Sequence, residues 1–135
     1  MQVKLDKDAF LPERAHPYDA GMDLRTPIAF NVYPYGDKLV DTGVHVQIPE
    51  GYVGFVMTKS SINLRGMHTE GVIDSHYTGS IKVNVVNRTD NQTIFHKGDK
   101  LAQLVIVPVL LPELEVVDSL EATERGDGGF GSTGR

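Results

Sequence analysis

Apolar and polar residues alternate with a period of two over Val44-His-Val-Gln-Ile48 and again over Ile81-Lys-Val-Asn-Val85. Each run has one apolar and one polar side, which predicts two half-buried strands. Tyr52-Val-Gly-Phe-Val-Met57 and Leu101-Ala-Gln-Leu-Val-Ile-Val107 are more continuously apolar and predict inner strands. Turn-forming sequence separates the runs at Tyr35-Gly-Asp, Pro49-Glu-Gly, Tyr77-Thr-Gly, Asn87-Arg-Thr-Asp and Lys97-Gly-Asp. Pro108 and Pro112 bracket a stretch predicted to leave the sheet or form an edge. No window supports a long amphipathic helix; residues 62–65 and 120–124 each predict a turn or so. The pattern predicts an all-β domain, a sandwich or a jelly-roll-like barrel.

Composition narrows the class. A chain of 135 residues with 40% hydrophobic content is long enough for one domain with a proper core. Its net charge of −5 argues against a non-specific binder of nucleic acid or of a membrane surface. A polyanionic ligand would need locally placed cations or a metal. With no cysteine there is neither a disulfide framework nor a zinc–thiolate site. The N-terminus lacks a signal-peptide core and no apolar run approaches membrane-spanning length, so a cytoplasmic location is expected.

Polar residues concentrate in segments that do not fit a plain sheet. Asp19 and Asp23 flank a small apolar stretch, either as a turn device or as a site near a metal. Lys59-Ser60-Ser61 follows a strand and opens a possible helical turn, an arrangement suited to an anion, with Ser60 also a candidate N-cap. Gly71-Val-Ile-Asp-Ser-His-Tyr-Thr-Gly79 places Asp74 after two apolar residues on a predicted hairpin. That Asp74 is either a hairpin-turn residue or a general base at a partly desolvated mouth. Gln103 interrupts an apolar strand, and a buried amide there needs partners. The C-terminal residues 125–135 are rich in glycine and carry Arg125, Phe130, Ser132 and Thr133. Taken alone this is a loose terminus; with those donors and one aromatic it is also a flap for a phosphate-bearing ligand. Its formal G-x-G-x-x-G match has too few residues after it to open a helix.

Together these segments resemble the trimeric dUTP pyrophosphatase (dUTPase) family, all five of whose motifs appear in order. Ala20-Gly-Met-Asp-Leu24, Lys59-Ser-Ser, residues 71–79, Gly98-Asp-Lys-Leu-Ala-Gln-Leu104 and residues 125–134 are similar to the first through fifth. The resemblance implies a jelly-roll-like subunit (residues 1–124) with a flexible glycine-rich lid (residues 125–135), in a homotrimer with active sites between subunits. It implies Mg²⁺-dependent hydrolysis of dUTP to dUMP and pyrophosphate, which limits uracil in DNA and supplies dUMP. Asp74 would be the base for the attacking water, and Tyr77 would lie on the sugar and exclude a 2′-hydroxyl. The hairpin from His68 to Asp74, with His68, Gly71, Val72 and Ile73, would read uracil partly through backbone groups and leave no room for the 5-methyl of thymine. Lys59, Ser60, Ser61, Lys82 and Gln103 would line the substrate site, and Asp23 would hold a metal-bound water. Arg125, Gly131, Ser132 and Thr133 of another subunit would clamp the phosphates while Phe130 stacks on the base.

Two positions depart from the family pattern. The second motif usually begins Arg-Ser-Gly, and Lys59 keeps the charge without the planar two-pronged grip, which predicts weaker phosphate contact. His68 stands where the uracil hairpin often has Asn. Of the alternatives, a dCTP deaminase would place a catalytic Glu where this chain has Asn84. A regulatory protein on the same scaffold, of the phage type, is compatible with the motifs as an added role. A purely structural jelly roll does not account for the convergent polar segments.

Overall fold

The alternating runs pair with each other. In this computed structural model, which describes residues 1–131 and Gly134, β4 (Asp37–Gln47) and β8 (Ser80–Asn87) lie antiparallel with Val40 opposite Val83. Ile81, Val83 and Val85 point inward and are fully covered, while Lys82 on the other face is exposed. β1 (Gln2–Leu5) pairs with the outer part of β4, and β6 (Met67–His68) with β8, giving a sheet of order β1-β4-β8-β6.

The second sheet has the order β2-β10-β5-β7. Its inner strands, β10 (Lys100–Pro108) and β5 (Tyr52–Met57), are the continuously apolar runs. β2 (Gly21–Arg25) and β7 (Glu70–Ile73) flank them. Leu24, Val56 and Leu104 from this sheet meet Val44, Ile48, Ile81 and Val85 in one core. Fully burying each such aliphatic side chain contributes roughly 1.5–3 kcal/mol, which is what holds the layers face to face. A short pair, β3 (Phe30–Val32) with β9 (Thr93–Phe95), closes one end. There Phe30 stacks on Phe95 at 4.8 Å and the Arg65 guanidinium lies 4.7 Å from the Phe95 ring centre.

The expected turn at 62–65 is a short helix, α1 (Ser60–Leu64), pinned by buried Ile62. The expected turn at 120–124 is not helical: these residues are exposed, so no surface rewards helix formation. Beyond Pro108 the chain leaves the sheet, and Leu110, Leu111, Leu114, Val116, Val117 and Leu120 are all exposed. Among the described residues no helix is long and apolar enough to cross a membrane.

Candidate active site

β5 ends at Met57, and the chain turns through Thr58 and Lys59 into α1. Lys59, not Ser60, is the N-cap, and no side chain caps the helix, which leaves the Ser60 hydroxyl facing a cleft. Thr58 organises this corner. Its hydroxyl donates to the Thr69 carbonyl at 2.7 Å and accepts from the Thr69 N–H at 2.8 Å. With its only proton spent, Thr58 Oγ1 accepts from His68 Nδ1 at 3.3 Å, and His68 Nε2 lies 3.2 Å from Glu70 Oε2. The cleft, about 550 Å³, is lined by Thr58, Ser60, Asn63, His68, Thr69 and Gln103, among others. Thr69 Oγ1 is buried there with no protein partner. Such an atom is costly to bury unless a ligand or water bonds it.

Gln103 reaches this cleft past Gly21, the register partner of Val105 on the neighbouring strand. A Cβ on Gly21 would sit 2.2 Å from Gln103 Oε1, so a larger residue there would push the amide out of this position. The amide nitrogen then donates a long bond, 3.4 Å, to the Thr58 carbonyl.

Asp23 stands opposite Gln103 in register, on a strand whose neighbours Met22 and Leu24 are core residues. Its carboxylate is only 5% exposed and is gripped by two ammonium groups, Lys59 on one oxygen and Lys100 on the other at 2.6 Å. Burial pushes its pKa up, but the bonds from Lys100 and Lys59 outweigh that and hold it below the usual carboxylate value. Asp19, by contrast, accepts from the His16 N–H at 3.0 Å as a turn device.

A second, smaller cleft of about 250 Å³ is lined by Val72, Ile73, Asp74, Tyr77 and Lys82. The Tyr77 ring lies so close to Gly79 that an added Cβ would meet its Oη at 2.5 Å, and the hydroxyl donates to the Ser80 carbonyl at 2.8 Å. Asp74 itself is exposed, so the partly desolvated mouth expected for it is not formed by the described residues. Gly71 packs on Val56 across β5 and β7, and Ser61 is exposed on α1.

The site residues predicted from sequence thus fall into two groups. Ser60, His68 and Gln103 share one cleft, with Lys59 beside it on Asp23; Val72, Ile73, Asp74, Tyr77 and Lys82 share the other. Arg125, Phe130 and Gly131 line neither cleft. Arg125 Nε instead donates to the Gly128 carbonyl at 2.8 Å, and Phe130 is fully exposed. Ser132 and Thr133 lie outside the described residues. Sequence reasoning gave no individual role to Thr58, Asn63, Thr69, Glu70 or Lys100, although each lies in a segment it singled out. Lys100 had one available signal, its place in the turn that opens the Gln103 strand.

Comparison with known proteins decides the family. The dUTPase family model matches residues 7–134. This chain belongs to the dUTPase family. Deoxyuridine 5′-triphosphate nucleotidohydrolase of Corynebacterium glutamicum is 41% identical over 138 aligned positions, covering 98% of this chain and 93% of the relative. The protein of the same name from Cutibacterium acnes is 44% identical over 130 positions, covering 92% and 85%. Among solved structures, a mutant dUTPase of Staphylococcus bacteriophage 80alpha with dUpNHpp superposes with a TM-score of 0.93. It is 34% identical and covers 99% of this chain and 98% of its own. A mutant dUTPase from phage phi11 of S. aureus, described as coordinating a structural Mg(II) ion, has a TM-score of 0.82 at 31% identity, covering 90% and 98%. Family membership gives the two clefts a common substrate class to be tested against.

Proposed function

We infer that this chain hydrolyses dUTP to dUMP and pyrophosphate, with Asp74 as the base that activates the water. The observation that carries this is the gathering of Asp74, Tyr77 and Lys82 in one cleft of a dUTPase-family fold, whose solved relative holds dUpNHpp, an imido analogue of dUTP. The Asp74 carboxylate takes a proton from water as its oxygen attacks the α-phosphorus. The bond from that phosphorus to the bridging oxygen breaks, and pyrophosphate leaves. Positioning and charge neutralisation do most of the work in such a displacement. The Tyr77 ring, fixed by Gly79 and the Ser80 carbonyl, offers a flat stop for a deoxyribose and crowds a 2′-hydroxyl. The backbone of 71–73 reads uracil; Ser60, His68 and Gln103 meet the phosphates and base from the neighbouring cleft, and Ser61 reaches them from the exposed face of α1.

A metal fits this donor set in one way only. Among the described residues no group of three His, Cys, Asp or Glu side chains is placed to hold an ion, so a protein-only cage is not available. Mg²⁺ keeps most of its waters and takes substrate phosphate oxygens, and Asp23 would receive one of those waters in place of a lysine. Bound with the triphosphate, Mg²⁺ would neutralise charge that develops on the phosphates. Lys59 and Lys100, which grip Asp23 here, then turn to those same phosphates.

Two further parts of the proposal concern assembly. The six exposed large apolar residues between 110 and 120 need a surface that this subunit does not provide, which supports a homotrimer in which the C-terminal arm crosses to another copy. Residues 125–135, with Arg125, Phe130, Gly131, Ser132 and Thr133, act as the lid over that copy's substrate and complete the desolvation of Asp74. A nucleotide substrate agrees with the cytoplasmic setting expected from the sequence. Pyrophosphate release from dUTP, with dCTP, dTTP and UTP as controls, tests the activity for wild type and Asp74→Asn. We expect turnover of dUTP alone and a loss of about a hundredfold or more in the variant; equal turnover of dTTP, or an active variant, overturns it.

A further inference from the structure

His45 lies outside both clefts, on β4, where it has Lys4 of β1 opposite on one side and Ser80 of β8 on the other. Its side chain is mostly covered, 18% exposed. Ring Nδ1 is 2.8 Å from the Thr78 carbonyl oxygen, and Nε2 is 3.0 Å from Asp6 Oδ2. Neither partner has a proton to give: a carbonyl only accepts, and so does an ionised carboxylate. A neutral imidazole carries one N–H and would point a lone pair at one of these oxygens. Both bonds form together only when both nitrogens are protonated.

The Thr78 carbonyl belongs to the turn that carries Asp74 and Tyr77 into β8. The Tyr77 N–H closes that turn on the Asp74 carbonyl at 3.0 Å. At its far end the Ser80 hydroxyl bonds Asp41. We propose that His45, as an imidazolium, is a positioning residue that straps the Asp74–Gly79 turn to Asp6 at the end of β1 and so sets where Asp74 and Tyr77 stand. This rests on the assignment of that turn to the nucleoside site.

The charges around the ring favour the charged form within a definite range of pH. Asp6 faces it from the end of β1, and Lys4 lies 3.4 Å from the other Asp6 oxygen. Asp41 and Lys82, a register pair on β4 and β8, stand farther along the same sheet. The bond to Asp6 raises the His45 pKa above its usual 6.5, the Thr78 bond adds to this, and burial and Lys4 oppose it. The bond from His45 chiefly lowers the Asp6 pKa below its usual 3.8. A raised histidine contributes fully below 6.5 and loses its contribution as pH rises through the raised value. A lowered carboxylate contributes above 3.8 and loses it as pH falls through the lowered value. The strap is therefore intact between those two titrations and opens on the alkaline side when His45 gives up its proton.

Proton–nitrogen NMR of the isotope-labelled full-length protein, titrated across this range, reports the strap directly. We expect both His45 nitrogens protonated below the transition. The amide signals of Asp74, Tyr77 and Gly79 should move along the same curve as the ring. His45→Leu should abolish that movement and lower kcat/KM for dUTP by about fivefold, the worth of one ordinary hydrogen bond. His45→Arg, which keeps two donors and a permanent charge, should restore activity and remove the alkaline limb. Asp6→Asn should shift the limb to lower pH. A ring with one proton below the transition, or turn amides indifferent to it, overturns the proposal, and so does a limb that neither variant moves. The spectra do not depend on turnover, so an active Asp74→Asn would overturn the site assignment and leave the strap standing.

Discussion

Gly79→Ala puts a methyl group where the Tyr77 ring now lies. The new Cβ would sit 2.5 Å from Oη, 2.6 Å from Cζ and 2.9 Å from Cε2. Ordinary carbon contacts are about 3.5–4.0 Å, so the ring edge must retreat by roughly 1 Å. Tyr77 is 43% exposed and has room to swing outward, which costs its bond to the Ser80 carbonyl, about 1 kcal/mol. The Gly79 backbone is not left-handed, so alanine adds no strain there and returns about 0.4–1 kcal/mol by restricting the unfolded chain. The two terms nearly cancel, and the melting temperature should stay within about 4 °C of wild type. Function is less forgiving: a displacement of about 1 Å at a positioning group costs up to roughly a hundredfold. Calorimetry with pyrophosphate release on dUTP and UTP separates the effects. We expect a near-normal melting temperature, kcat/KM for dUTP lower by about ten- to a hundredfold, and a reduced preference over UTP. Unchanged turnover and preference would refute the role given to the ring. A large drop in melting temperature would show that the turn supports the fold instead.

Lys59→Arg should raise kcat/KM for dUTP by about threefold, because a planar guanidinium can grip a phosphate with two parallel bonds. An unchanged or lower value in a steady-state assay counts against lysine as the poorer ligand. Deleting residues 126–135 should leave the melting temperature unchanged, since no described residue there joins the core, yet remove most dUTP hydrolysis. Full activity in the truncated protein would dismiss the lid.

The strands that were legible in the sequence are those with one face in the core, β4 and β8, and the inner apolar pair β5 and β10. β1 was not, because all four of its residues are exposed and an edge strand of that kind leaves no alternation. β2 was hidden for the opposite reason: Asp23 is buried between Met22 and Leu24 and interrupts the apolar run. Two lysines make that burial tolerable, and one of them, Lys100, reaches it beside a register shift between Lys100 and Ala102 that no periodicity reveals. Asp74 and Tyr77 could be named because motif order carried them. Thr58 could not, since its role depends on a pairing with Thr69 across a turn and a helix. The exposure of Asp74 was not legible either, because the apolar pair before it suggests cover that the described residues do not supply.

The stretch beyond Pro108 changes how variation in this protein should be interpreted. Leu110, Leu114 and Leu120 are exposed and lie outside this chain's core cluster, so its own packing makes little demand on their identity. Under the proposed arm exchange, a substitution such as Leu114→Ser would pass a refolding assay on the isolated chain and still weaken docking on another copy. On that proposal, tolerance to mutation at these positions measures fit to a neighbour. Surveys of stability alone would score them as free to drift.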